Sequence, residues 1–449
     1  MNAERASLFS DAPVRKAVLT LAIPTVISQL ITVVYNMADT FFIGKLNDPL
    51  QVAAATIVMP CFMLLTGFAN LFGLGGSSLI SRCLGMADPV KARHCAAFCI
   101  WTGAVAALLY GIAVVLLEPV LFPILGAGSD TWEYCQQYAF WTIGVGAVPT
   151  VMNAELAHLI RAEGYSKPAG FGVAFGGILN IILDPIFIFV FHLNIAGAAI
   201  ATMLSNLIAM GYFLGFLYHI RKNTVITPNP KEFSLGHHIP GEVLSVGLPG
   251  FVMTMMSTIS NAALNHMVAG YSDTAIAGMG IAKKIDLLAY AIAQGMTQGT
   301  LPLIGYNYTS GNHKRMKAAI KTAFAYSFLV ACVGAVLLWT LAVPISRCFI
   351  ADTETVSYGQ HFLKIICLAC PTTAVNFMVI TVFQAIGKKI QPLCLSLLRK
   401  GSLDVVFMLI LNSAVGVSGI AWATPFADWI AFVISITLIV PQLRQLKSE

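Results

Sequence analysis

The run LNIILDPIFIF, Leu179 to Phe189, is almost wholly Leu, Ile and Phe, a composition suited to hydrocarbon. It nevertheless carries Asn180 and Asp184 four residues apart, with Pro185 directly behind the acid. On a helix, that spacing puts both polar groups on one face. A carboxylate at the middle of a bilayer helix costs roughly 2.5–3.5 kcal/mol on insertion scales, so it is rarely kept without a task. Proline has no N–H to offer the preceding turn, which frees a backbone carbonyl near the acid. The stretch predicts a membrane-spanning helix that presents half of an ion site.

The rest of the composition agrees. Of 449 residues, 57% are hydrophobic and only 10% charged, where a soluble domain carries about 25% charged residues. Such a chain cannot cover a water-facing surface with charge, so it is read as an integral membrane protein. Its 37 glycines are dispersed, which suits close packing of membrane helices and not a flexible linker. The first residues show no short apolar core followed by a small-residue cleavage site, so no cleaved signal peptide is expected. The ten cysteines lie mostly in apolar runs. Cys367 and Cys370 have redox spacing but no second pair, and they read as small buried hydrophobes. There is no phosphate-binding loop, no H-E-x-x-H and no helix-spaced histidine pair. No enzyme activity and no resident cofactor are predicted.

Twelve apolar segments can be laid out at 16–41, 52–80, 93–117, 134–158, 168–191, 195–220, 241–268, 275–301, 318–343, 358–384, 390–412 and 416–441. Each is near the ~20 residues that a bilayer requires. Nineteen of the 26 Lys and Arg fall in the termini and alternate loops, against Lys45 and Arg347 in the remaining loops. That bias predicts both termini in the cytoplasm and a cell-membrane location. It also accounts for the basic charge without nucleic acid.

The two halves repeat. Pro24 aligns with Pro249, Gly85 with Gly311, and Pro149, Asn153, Gly164 and Pro168 with Pro371, Asn376, Gly387 and Pro392. The offsets run from 222 to 226 residues. At a shorter offset of 220, Asn180 and Asp184 fall opposite Lys400 and Asp404. The expected fold is an all-α polytopic membrane protein with twelve transmembrane helices in two pseudo-symmetric six-helix lobes. The lobes are expected at 1–220 and 241–449, joined by a linker at 221–240. A parallel repeat of this kind suits an alternating-access carrier with its site between the halves.

Six acids fall within segments: Asp39, Glu155, Asp184, Asp286, Asp404 and Asp428. Asp39 and Asp184 both lie toward the outer ends of their helices and are expected to share a chamber, bordered by Asn153 and Thr202. Asp286 follows Lys283 by three and Asp404 follows Lys400 by four, spacings for ion pairs within a helix. Glu155 is expected to pair with His158, and Asp428 to make a structural hydrogen bond inside its lobe. Pro24 is either a tolerated kink or a bending point. Met253, Met256, Gln294 and Asn376 are expected to border a soft substrate cavity.

Several stretches together resemble the multidrug and toxic compound extrusion (MATE) family, closest in pattern to its bacterial MepA-like and DinF-like members. They are YNMADTFFIG at 35–44 behind Pro24, NLFGLGGSSLISRCLG at 70–85, RAEGYSKP at 161–168, LNIILDPIFIF, NIAGAAIATMLSN at 194–206 and TLPLIGYNYTSGNHKR at 300–315. The resemblance implies export of amphipathic, often cationic drugs or toxins in antiport with H⁺ or Na⁺, by a monomer in membrane lipid. It implies an ion site at Asp39, Asn180 and Asp184, with Asn153 and Thr202 near it, and a bending Pro24. Family members with acids in helices seven and ten differ from this chain, which has none in 244–268 or 358–384. Coupling is therefore expected in the amino lobe. The alternatives are a flippase for lipid-linked sugars, which needs several cavity cations, and a membrane-embedded enzyme.

Overall fold

The computed structural model describes residues 3–350 and 352–445. A short helix α1 (Ala3–Ser10) precedes α2 (Val14–Gly44), α3 (Pro49–Gly85) and α4 (Pro89–Ile124). Then come α5 (Ser129–Ala139), α6 (Ala147–Ala162), α7 (Ser166–Pro185) and α8 (Asn194–His219). The second half holds α9 (Ile239–Ala269), α10 (Asp273–Thr309), α11 (His313–Thr340), α12 (Ala342–Phe349) and α13 (Thr353–Ile366). It closes with α14 (Cys370–Ala385), α15 (Ile390–Ser396), α16 (Asp404–Val415) and α17 (Val417–Gln445). Among the described residues, nine helical stretches are long and apolar enough to cross a membrane, and α5 with α6, bent by 48°, makes a tenth. Two further crossings are polar inside: α10 carries Lys283, Lys284 and Asp286, and α15–α16 is interrupted by a π turn, Leu397–Leu403, bearing Arg399 and Lys400. The total is twelve crossings in two six-helix lobes.

The loops show the internal repeat most plainly. Ala87 and Gly311 both adopt left-handed backbone, and each precedes a capping residue, Asp88 or Asn312. Those side chains accept from Lys91 N and Arg315 N. Asp48 and Ser272 cap α3 and α10 in the same way. Gly164 and Gly387, which follow α6 and α14, are both left-handed. The shared register is therefore 223 to 224 residues through these loops. This corrects the Gly85–Gly311 pairing: the conserved requirement is the left-handed residue before the cap, which Ala87 fills. It also corrects the 220-residue alignment, since the same register places Asp404 opposite Asn180.

Call the end of the bundle that carries residues 3–12 and 221–240 the terminal face, and the opposite end the distal face. The lobes meet in the terminal half through glycines. A Cβ on Gly247 would lie 1.8 Å from the Leu71 carbonyl oxygen, and one on Gly75 would lie 2.2 Å from that of Val243. A Cβ on Gly295 or Gly299 would come within 2.5 Å of the Val26 Cα or 2.6 Å of the Ala22 Cα. Polar links reinforce this seam: Ser78 donates to the Gln384 carbonyl, Asn70 to Thr254, and Glu242 pairs with both Arg82 and Lys91. Farthest from the terminal face, Gln29 donates to Gln298 at 2.8 Å and to Gln294 at 3.4 Å. Among the described residues, no cross-lobe hydrogen bond lies distal to Gln29 and Thr254. The lobes form a V that opens distally.

Two accessory pieces lock the terminal face. Phe9 is fully buried between Gly164 of one lobe and Tyr306 of the other. The carbonyls that end α1 are held by the second lobe: Phe9 O accepts from Asn307 and from Arg315 Nε at 2.6 Å, and Leu8 O from Arg315 Nη2 at 3.1 Å. Arg315→Ala removes both charged hydrogen bonds, each worth roughly 1.5 kcal/mol or more, and should speed amide exchange over Ala3–Ser10 at least about tenfold. Unchanged exchange would refute this clasp. The 221–240 segment is also anchored. Glu163 accepts from Thr224 Oγ1 at 2.5 Å and from Val225 N at 2.7 Å, and Trp101 donates to the Pro228 carbonyl. Burial pushes the Glu163 carboxyl above its ordinary pKa, and these two hydrogen bonds oppose that shift.

Candidate functional site

The polar face of LNIILDPIFIF faces the amino-lobe interior. Asn180 and Asp184 are both buried, and Asn180 Nδ2 donates to Asp184 Oδ1 at 3.2 Å and to Thr202 Oγ1 at 3.3 Å. Helix α7 is regular up to Pro185 and then widens into a π turn over Ile186–Val190. Such turns relieve the missing donor that proline creates. Helix α8 supplies Thr202 and, one turn later, Asn206, which donates to the Thr202 carbonyl at 2.9 Å. Asn153 of α6 donates to Asn206 Oδ1 at 2.8 Å. Asp39 of α2 is an electrostatic neighbour of Asp184. All five residues that the sequence nominated are thereby drawn to one region of one lobe.

This region is short of donors. Buried oxygens of Asp39 (Oδ1), Asp184 (Oδ2), Asn180 (Oδ1) and Asn153 (Oδ1) have no hydrogen-bond partner. Buried polar atoms are normally paired, and each orphan costs about 1–3 kcal/mol. Oxygen-only ligands, two of them carboxylate, form the donor set of a hard cation or a proton. No group of three or more His, Cys, Asp or Glu suited to a bound metal occurs among the described residues.

Three neighbours escaped the sequence reading. Tyr35 and Tyr138 lie within electrostatic reach of both carboxyls, and Asn206 joins Asn153 to Thr202. The spacing held a signal: Tyr35 is four residues before Asp39, and Asn206 four after Thr202. Pro24 sits inside an unbroken α2. Its carbonyl lies against Gly170 of α7, where a Cβ would approach to 2.6 Å.

The proposed cavity residues divide. Gln294 lies at the floor of the V with Gln29. Asn376 is buried inside the carboxy lobe, where it donates to the Asp428 carbonyl and accepts from Ser435. Met253 packs with Ala374 and Phe377 of that lobe, and Met256 lies against Gly401. The face of α9 turned to the amino lobe instead carries Gly247, Gly250, Phe251, Thr254 and Met255. Other expected pairs also change. Lys283 reaches Thr424 at 3.4 Å and forms no ion pair with Asp286. Glu155 has both carboxyl oxygens unpartnered, and His158 pairs with Arg161. Gly103 leaves room for that carboxyl, since a Cβ there would sit 2.0 Å from Oε2. Lys400 and Asp404 do pair, at 3.6 Å, and Asp428 gains Arg399 as its partner.

Comparison with known proteins follows the same outline. The MatE family model matches residues 24–186 and again 249–410, one copy per lobe. The multidrug export protein MepA of Staphylococcus saprophyticus is 29% identical over 444 residues, covering 99% of this chain and 97% of that protein. The MepA of Staphylococcus haemolyticus is 28% identical over 440 residues, covering 98% and 96%. A solved outward-facing multidrug resistance MATE transporter matches with a TM-score of 0.91 at 24% identity, covering the whole of both chains. A Pyrococcus furiosus transporter of the MOP superfamily, with a binding pocket of reversed polarity, matches at 0.89 and 24% identity, covering 100% of this chain and 99% of that one. Two matched lobes, full-length relatives and a shared fold lead to one conclusion: the chain belongs to the MATE family.

Proposed function

We propose that this chain is a secondary active multidrug exporter that moves amphipathic, often cationic compounds in antiport with H⁺ or Na⁺. The observation that carries the reading is the cluster of orphaned oxygens on Asp39, Asp184, Asn180 and Asn153 inside one lobe. An uncompensated carboxylate pair in a membrane lobe is stabilised by taking up a cation. Asp39, Asn180 and Asp184 hold the coupling ion; Asn153 and Thr202 fix the orientation of Asn180 and Asn206. The lobes are 1–220 and 241–449, with 221–240 between them. The excess of Lys and Arg puts the terminal face in the cytoplasm, so the V opens outward. In this state the amino-lobe site loads from outside, and loading neutralises the carboxyls. The lobe then repacks along the Pro24–Gly170 contact and the drug leaves the cleft. Coupling is the difference in affinity of ion and drug between the two states.

The flippase alternative loses ground, because Arg399 and Lys400 are paired with Asp428 and Asp404, and Lys283 reaches Thr424, inside the carboxy lobe. Vesicles containing the purified protein decide the matter. With an imposed proton gradient and no sodium, ethidium should be exported if the ion is H⁺. Export that requires added Na⁺ assigns sodium instead, and no gradient-driven export with either ion rejects the antiporter reading.

A further inference from the structure

The carboxy lobe contains a second polar cluster, which the transport reading leaves without a role. Arg399 pairs with Asp428, and Lys400 with Asp404. Ser260 donates to Asp404 Oδ2 at 2.5 Å and Thr424 to Oδ1 at 3.2 Å. Thr373 donates to Asp428 Oδ2 at 2.5 Å. Asp286, Arg399, Lys400 and Asp428 border a cleft of about 10 Å³, near the least that one water needs. Lys283, Arg399 and Lys400 thus offset Asp286, Asp404 and Asp428 in charge. The buried Nη1 of Arg399 has no partner.

This cluster is the pseudo-symmetric twin of the amino-lobe site. Asn153, Asn180, Thr202 and Asn206 correspond to Asn376, Asp404, Thr424 and Asp428, at offsets of 222 to 224 residues. The bonding corresponds as well. Asn153 donates to the side chain of Asn206, and Asn376 donates to the backbone carbonyl of the corresponding Asp428. Asn180 and Thr202 share a hydrogen bond, as do Asp404 and Thr424. One position differs decisively. At the same register, Lys400 stands opposite Gly176, where an added Cβ would lie 2.9 Å from the Ala209 Cβ and 3.8 Å from Asn153 Nδ2. The amino lobe therefore carries no cation at this position: Ala209 packs against the glycine where the other lobe places a lysine side chain.

We propose that the carboxy lobe holds a monovalent-cation pocket filled by the chain's own Lys400 ammonium in place of a mobile ion. Its charge balance then stays fixed through the cycle, and only the amino lobe exchanges a cation with solution. The proposal builds on the amino-lobe reading, but its test does not need that reading. Purified full-length protein with Asp39→Asn and Asp184→Asn serves as the parent, and bound cation is measured with radioactive Na⁺ and by proton uptake in sodium-free buffer.

Adding Lys400→Met should raise the count by one monovalent cation per chain, as Na⁺ or as H⁺, and adding Asp404→Asn to that should return it to the parent value. An unchanged count in folded Lys400→Met overturns the proposal. If Lys400→Met fails to fold, sodium, acid or the added Asp404→Asn should restore it; misfolding that none of these relieves also overturns the proposal. A failed amino-lobe reading shows separately, as no difference in count between the wild type and the parent.

Discussion

Asp184→Asn should abolish ethidium efflux while the protein stays in the membrane, lowering transport by about tenfold or more, within the range of typical coupling free energies. The substitution keeps the side-chain volume and the acceptor for Asn180, so packing is preserved. What it removes is one of the two charges that draw a cation to the orphaned oxygens. Asp39→Asn should act in the same direction. The informative readout is the loss of ion dependence, because a purely structural residue would lower expression and leave the ion dependence of the remaining transport unchanged. Full efflux by Asp184→Asn, with its usual ion dependence, would refute the site.

Gly247→Leu should be nearly as severe by a different route. Even the first carbon of a side chain there would lie 1.8 Å from the Leu71 carbonyl oxygen, and that oxygen belongs to backbone that cannot swing aside. Protein interiors do not absorb an overlap of that size without separating the elements that collide. The lobes can then no longer close their terminal half, and the distally open V is lost. Spin labels placed at Lys91 and Lys314 should report a longer distance than in the parent, and efflux should fall to the level of cells without the protein. An unchanged distance with normal efflux would show that the seam is not needed.

The sequence made most of the architecture legible, and the reasons are specific. Apolar length and the Lys/Arg bias act within single segments, so twelve crossings could be counted before any contact was known. The candidate site was legible where its residues share a helix, as with Asn180 and Asp184. Tyr35 and Asn206 sit one turn from Asp39 and Thr202 on the same helices, a spacing that carried the signal unused, whereas Tyr138 joins across helices through packing that no period records. The cavity side of α9 failed for a related reason. Met253, Met255 and Met256 are adjacent and equally apolar, and a membrane helix that is hydrophobic all round gives no stripe to choose among its faces. Loop register failed by one or two residues because Gly85 was matched as a glycine, whereas the backbone demand is met by Ala87.

The anchored 221–240 segment has a mechanical consequence. Thr224, Val225 and Pro228 are fastened to the amino lobe, and Phe233 packs near Phe98. Beyond Phe233, His237 stacks on His94 of the amino lobe, and the left-handed His237 and His238 lead directly into α9. The connector is therefore not slack rope between two bodies. It is a short tether at one edge of the seam, and any opening of the lobes that keeps these contacts must pivot near that edge rather than slide the carboxy lobe away.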